Sequence, residues 1–306
     1  MLDEYALVPD IFDATAYSNS ALIDAYLPIL KETLLQEALV RDLCDGGWSH
    51  FCMTNSGSLH RLCKEMLKKL AHNNRLRRFP RQSAASPASA ADWCQEGMNV
   101  SGLEPLTGVI AGHATKQAFP AGQVASIEKL TGVPWWQNRS PTVTLDRKTA
   151  EYLRVLHRVL MQANSVMFVD PNLDPSSYNY REFRQLLVPL AQRVIKPRIE
   201  IHRSLCKGDG QSRTFPTKAD WGDKFAVLGE SLKVLGLTAD VFGWDDFHDR
   251  YLIADVVGIL VPGGFDITGK QNDWSTWARM GRDDKDKIQR LFDPAKRQPK
   301  WHFKLN

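Results

Sequence analysis

FHDRYLIADVVGILVPGGFD, residues 247–266 of a 306-residue chain, carries a strand pattern, a His-x-Arg pair and a glycine turn in succession. Phe247, Tyr251 and Ile253 fall on alternate positions, the period of a half-buried β-strand. The spacing predicts a strand over 247–255, with His248, Arg250 and Leu252 on one face. An imidazole and a guanidinium on one rigid element form a phosphate site. Histidine serves as nucleophile or proton shuttle near neutral pH, and arginine offers a planar fork of donors to phosphate oxygens. Asp255 follows five residues after Arg250, and a Gly263-Gly264-Phe265-Asp266 turn closes the unit.

Upstream, apolar residues at helical spacing predict a helix over 147–164, and 165–170 reads as a short buried strand ending before Pro171. A helix kinked at Pro189 is expected over 180–194, a strand over 198–204 and a helix over 220–235. Strands at 238–244 and 257–261 complete the pattern. Alternating strands and helices imply an α/β fold with a largely parallel sheet. Ligands of such sheets sit outside the carboxyl ends of the strands. That rule makes Asp170, Asn172 and Asp174 neighbours of the site, with His202 on the next strand a weaker candidate.

H-x-R-x4-D followed by Gly-Gly-x-Asp resembles the H-x-K-x4-D…G-[GS]-x-[ND] signature of the phospholipase D-like superfamily, with Arg250 where catalytic members carry lysine. The resemblance covers residues 148–270 and implies a phospholipase D-like β/α sandwich. It implies that His248 attacks phosphorus, that Arg250 with Gly263, Gly264 and Asp266 holds the phosphate, and that Asp255 orients or balances the site. Superfamily phosphodiesterases pair two such motifs, the second histidine protonating the leaving oxygen. His302-Phe303-Lys304 repeats H-x-K without the aspartate, so one full motif is present and the second histidine is expected from another subunit. Arginine does not replace lysine neutrally at a phosphate site. His-Asp-Arg with a glycine-rich turn also resembles the phospholipase D-like domains of eukaryotic membrane-trafficking proteins, which bind headgroups without turnover. Two expectations therefore stand. One is a metal-independent, dimeric nuclease; the other is a catalytically inactive phosphate-binding subunit for nucleic acid, a larger complex or a phospholipid headgroup. A genome-defence or mobile-element complex would suit either.

Composition narrows the class. Net charge is +4, with 43% hydrophobic and 24% charged residues, as in ordinary soluble domains. No apolar run is long enough to span a bilayer, and the acidic start MLDEYALVPDIFD does not read as a secretory signal. Five cysteines without dense spacing fit a reducing, cytoplasmic setting. No cofactor is expected.

The length predicts two domains. Residues 1–81 read as a mainly helical N-terminal domain, with helices over 21–44 and 59–70. Its basic segment, Lys64, Lys68, Lys69, Arg75, Arg77, Arg78 and Arg81, is predicted to lie at the surface and to contact nucleic acid. The small-residue stretch 82–91 reads as a linker. Residues 92–147 read as a connecting region with a helix near 121–130, and 148–306 as the phospholipase D-like domain. Cys44, His50, Cys52, His60 and Cys63 fall within twenty residues but match no common zinc spacing, and free cysteines are usually buried hydrophobes. Gly264-x4-Gly269-Lys270 imitates a P-loop with Gln271 in place of its Ser or Thr.

Overall fold

The structure, a computed structural model, describes residues 1–208, 213–267 and 272–306. Two compact units emerge, Leu2–Arg139 and Ser140–Asn306, the second also holding Met1. The break thus falls at 139/140 and not at 82–91.

The first unit is not mainly helical. It alternates β1 (Asp3–Leu7), α1 (Ile23–Glu37), β2 (Ala38–Asp42), α2 (Leu43–Thr54), α3 (Leu62–His72), β3 (Leu76–Arg78), α4 (Ala90–Leu103), β4 (Gly108–Ala111), α5 (His113–Ala118), β5 (Val124–Ser126) and α6 (Pro134–Gln137). The strands form a parallel sheet in the order β3-β2-β1-β4-β5, with Tyr5 opposite both Val40 and Gly108. The sequence hides this because Ala38-Leu39-Val40 extends the apolar pattern of the preceding helix without a visible break. Burial on both faces removes the alternation that marks a half-exposed strand. The expected linker is an excursion between β3 and α4. Gln82 and Ser83 donate backbone N–H groups to the buried Glu96 carboxylate at 2.6 and 2.9 Å, and Ser89 caps α4 in a capping box with Asp92. Where a helix was expected over 121–130, β5 runs into 3-10 turns ending at Gly132.

The second unit is the α/β fold expected. Its elements are β6 (Thr142–Asp146), α7 (Thr149–Gln162), β7 (Ser165–Val169), α8 (Val188–Ala191), β8 (Arg198–Ser204), α9 (Lys218–Leu235), β9 (Ala239–Trp244), β10 (Tyr251–Ala254), β11 (Gly258–Leu260), β12 (Trp274–Arg279), α10 (Arg282–Leu291) and β13 (Trp301–Leu305). Residues 178–187 make 3-10 turns where a continuous helix was expected. The eight strands lie in the order β13-β9-β8-β7-β10-β11-β12-β6. Only β7, β8 and β9 are parallel; the other pairings are antiparallel, so the sheet is mixed. α7 docks through Tyr152, Leu156, Val159 and Leu160, and α9 through Trp221, Phe225, Leu228 and Leu232, each at helical spacing.

These directions bring particular chain segments to one end of the sheet. The exits of β7, β8 and β9, the approach to β10 and the exits of β11 and β6 all lie there. Asp170, Asn172, Asp174, Lys207, Asp246, His248, Arg250, Gly263, Asp266 and Arg147 are all on those segments.

Candidate functional site

The strand expected over 247–255 is shorter, and His248 and Arg250 precede it in the loop 245–250. Tyr251 pairs with Val169, which sets Arg250 opposite Asp170. Arg250 Nη1 donates to the carbonyl of His248 at 3.3 Å and to that of Pro262 at 3.2 Å, while Nε faces Asp170 Oδ1 at 3.6 Å. Nε is buried, whereas Nη2 is not, and among the described residues no acceptor engages it. Three contacts thus fix the guanidinium and leave one donor edge for a ligand. A lysine presents its three donors from a single nitrogen and lacks this planar fork. The His248 side chain is 89% exposed, its Nε2 4.0 Å from Asp246 Oδ2.

Asp170 is wholly buried behind the arginine. Burial raises its pKa, against which work N–H donors from Asn172 (2.9 Å) and Phe265 (3.1 Å), the charge of Arg250 and the Tyr180 hydroxyl at 2.9 Å. The Phe265 contact depends on Gly264, whose φ is +76°; a Cβ there would stand 2.5 Å from Asp170 Oδ2. The glycine turn therefore lets the backbone close on the carboxylate. Asp266, the last residue of the turn, pairs with Arg147, which also donates to the Gly263 carbonyl at 3.1 Å. Burial works against the Arg147 charge, but the Asp266 carboxylate outweighs it and holds its pKa above the ordinary value. Asp174 accepts from Lys207 at 2.9 Å and from Ser176; these bonds overcome burial and hold its pKa below the usual range. Asn172 is exposed beside them. Buried Arg203 ties the loops after β7 and β8 together through the carbonyls of Leu173 (2.8 Å), Pro171 (3.2 Å) and Cys206 (2.9 Å), its guanidinium lying over Trp221.

Two expected members do not join the site. Asp255 follows the far end of β10, where it accepts the Asn164 N–H at 3.0 Å; five residues of extended chain separate it from Arg250, about 16 Å. It can neither orient His248 nor balance a phosphate. His202 is wholly buried, stacked on Phe242 and Trp244, its Nδ1 accepting from Trp244 Nε1 at 2.9 Å. Nε2 therefore carries the proton and donates to Glu200 at 3.2 Å. Burial lowers the His202 pKa, although Glu200 opposes it. Because the folded value lies below the unfolded one, this histidine's stabilising contribution is complete above about pH 6.5 and is lost as pH falls toward the folded pKa. The expected result is a lower urea midpoint at pH 5 than at pH 7 in the wild type, with a flatter profile in His202→Gln. Equal pH dependence in the two proteins would contradict a buried neutral His202.

The basic segment splits. Lys64, Lys68, Lys69, Arg78 and Arg81 are exposed, though Lys69 pairs with Glu65 at 3.1 Å. Arg75 is buried and donates to the Ala38 carbonyl at 3.2 Å. Arg77 binds Glu4 at 3.1 Å and also Glu104. These two arginines are structural and not the surface contacts expected. Arg75 directly precedes β3 and Arg77 lies on it, so their alternation shows only once that strand is recognised. The cysteines are free: Cys52 and Cys63 are buried in the core, and Cys44 faces Glu96. Among the described residues no metal-binding group of three ligands converges. The P-loop-like Gly269, Lys270 and Gln271 lie outside the described residues. Among the described residues no helix is long and apolar enough to cross a membrane. Arg147 and Arg203 carry no local signal in the sequence because they bind segments distant along the chain, and Tyr180 reaches Asp170 only through the loop after β7.

No protein-family model matches the chain, and no curated protein matches it. Among solved structures, that of TrmBL2, described as an archaeal chromatin protein with a novel mode of DNA binding, is 13% identical. The match covers 76% of this chain and 81% of that one with a TM-score of 0.31, a likeness too slight to bear on fold or function.

Proposed function

We propose that the second unit is a phospholipase D-like module that recognises the phosphodiester groups of nucleic acid. The observation that carries this reading is the anchored Arg250 with its outer Nη2 edge open beside the exposed His248. Such an edge matches the geometry of phosphate oxygens. In the first unit, exposed Lys64, Lys68, Arg78 and Arg81 supply a sequence-independent attraction to the same polyanion.

The test is binding of fluorescently labelled oligonucleotides, followed by anisotropy over a salt series. Arg250→Ala is expected to weaken binding about 10- to 100-fold, the worth of charge-assisted hydrogen bonds. Neutralising Lys64 and Lys68 should flatten the salt dependence by about 0.9 per lost contact on duplex DNA. Unchanged affinity in Arg250→Ala would refute the phosphate site.

Hydrolysis is a second reading, favoured by the Asp246 carboxylate close to the exposed His248 imidazole. In that case cleavage persists in EDTA and His248→Ala abolishes it. Cleavage that requires magnesium or survives the substitution would remove His248 from the chemistry.

A further inference from the structure

The first unit has a cavity of its own. In a parallel sheet ligands sit beyond the carboxyl ends of the strands, most often where the strand order reverses. That point, between β1 and β4, is filled. Asp10 accepts there from the Gly112 N–H at 2.9 Å and the Thr115 hydroxyl at 2.6 Å, and a Cβ at position 112 would stand 2.7 Å from Asp10 Oδ2. The open space lies instead beyond β2 and β3, a cavity of about 640 Å³, within the size range of small-molecule sites. Three segments wall it. Cys44, Asp45 and Gly46, just after β2, take successive φ of +57°, +54° and +95°, and the first two line the cavity. Side chains adopt this left-handed conformation at a cost, and such residues cluster at ligand sites. His50, Phe51, Thr54 and Asn55, one face of α2, form the second wall. Arg81, after β3, forms the third with Ser86 and Pro87 of the excursion that the buried Glu96 carboxylate pins.

These groups match the three parts of a nucleotide. Phe51, half-buried and packed on Trp93 with 5.6 Å between ring centroids, offers an apolar face to a planar ring. His50, Thr54 and Asn55 beside it carry donors and acceptors for the edge of that ring. The exposed Asp45 carboxylate, an acceptor only, suits the hydroxyls of a sugar. Arg81 is exposed too; among the described residues it pairs with no carboxylate and donates to the Ser86 hydroxyl at 2.8 Å, so its fork is open to phosphate. Phosphate alone would leave the aromatic wall unused, and a neutral apolar ligand would leave the guanidinium without a partner. We infer that the first unit binds a ribonucleoside monophosphate beyond β2 and β3, with its base on Phe51, its sugar on Asp45 and its phosphate on Arg81. The Arg250 site of the second unit takes no part in it.

The experiment titrates the full chain, by isothermal calorimetry, with AMP, GMP, CMP and UMP, and then with the matching nucleoside and with inorganic phosphate. At least one nucleotide is expected to bind saturably, about tenfold or more tightly than its nucleoside or phosphate alone. Arg81→Ala should weaken that binding about 10- to 100-fold, and Phe51→Leu about tenfold. Arg81 is exposed, so its replacement should leave thermal unfolding unchanged. Arg250→Ala should bind the nucleotide like the wild type, which separates this site from the phosphate reading of the second unit. Absence of binding by all four nucleotides would overturn the inference. So would phosphate that binds as tightly as the nucleotide, or wild-type affinity in Arg81→Ala.

Discussion

Asp170→Ala is expected to destabilise the second unit by about 3–5 kcal/mol, the cost of removing one member of a buried ionic group. The substitution strips an acceptor from the Tyr180 hydroxyl and the Phe265 N–H, both enclosed where water cannot replace it, and from the N–H of Asn172. It also leaves the buried Nε of Arg250 without a facing charge. Urea unfolding followed by circular dichroism checks this. Because the same carboxylate fixes Arg250 and the Gly263–Asp266 turn, any residual folded protein should bind oligonucleotides poorly. A loss below about 1 kcal/mol, the size of an ordinary surface effect, would mean that Asp170 is not the keystone of this end of the sheet.

The second large effect lies in the first unit. Glu4 and Arg41 are both fully buried and meet at 2.6 Å between neighbouring strands; Arg77, on the next strand, reaches the same carboxylate. Glu4→Gln keeps the shape and removes the charge, leaving buried Arg41 only the partly exposed Glu104 carboxylate at 3.6 Å. A loss of about 3–5 kcal/mol is expected. Arg77→Gln should cost less, since Glu4 keeps Arg41. If Arg77→Gln proves as harmless as Lys64→Gln, the basic segment is a uniform solvated surface after all and the ion-pair ladder contributes nothing.

How much of this was legible follows from the range of each interaction. Amphipathic α7 and α9 and the seven residues of β8 show in the sequence because their periodicity is local. The rule that sites lie beyond strand ends also placed Asp170 near Arg250. By contrast β1, β2, β4 and β5 are buried too completely to alternate, and β6, β12 and β13 take their identity from partners far along the chain. The motif spacing placed Asp255 in the site, but an extended chain carries it to the wrong end of β10. His202 looked chemical by residue type; only its stacking on Phe242 and Trp244 shows it to be core. Arg75 and Arg77 looked like surface charge, because a basic run does not reveal which members have buried partners.

On the reading proposed above, Arg250 offers an open donor edge to a phosphodiester beside His248. The most direct measurement is NMR of the His248 imidazole, assigned by its loss in His248→Asn, during titration with a dinucleoside monophosphate. A saturable shift of that resonance is expected in the wild type and none in Arg250→Ala, with the buried His202 resonance unmoved in both. A His248 signal that stays still at saturating ligand, or moves equally in Arg250→Ala, would contradict it.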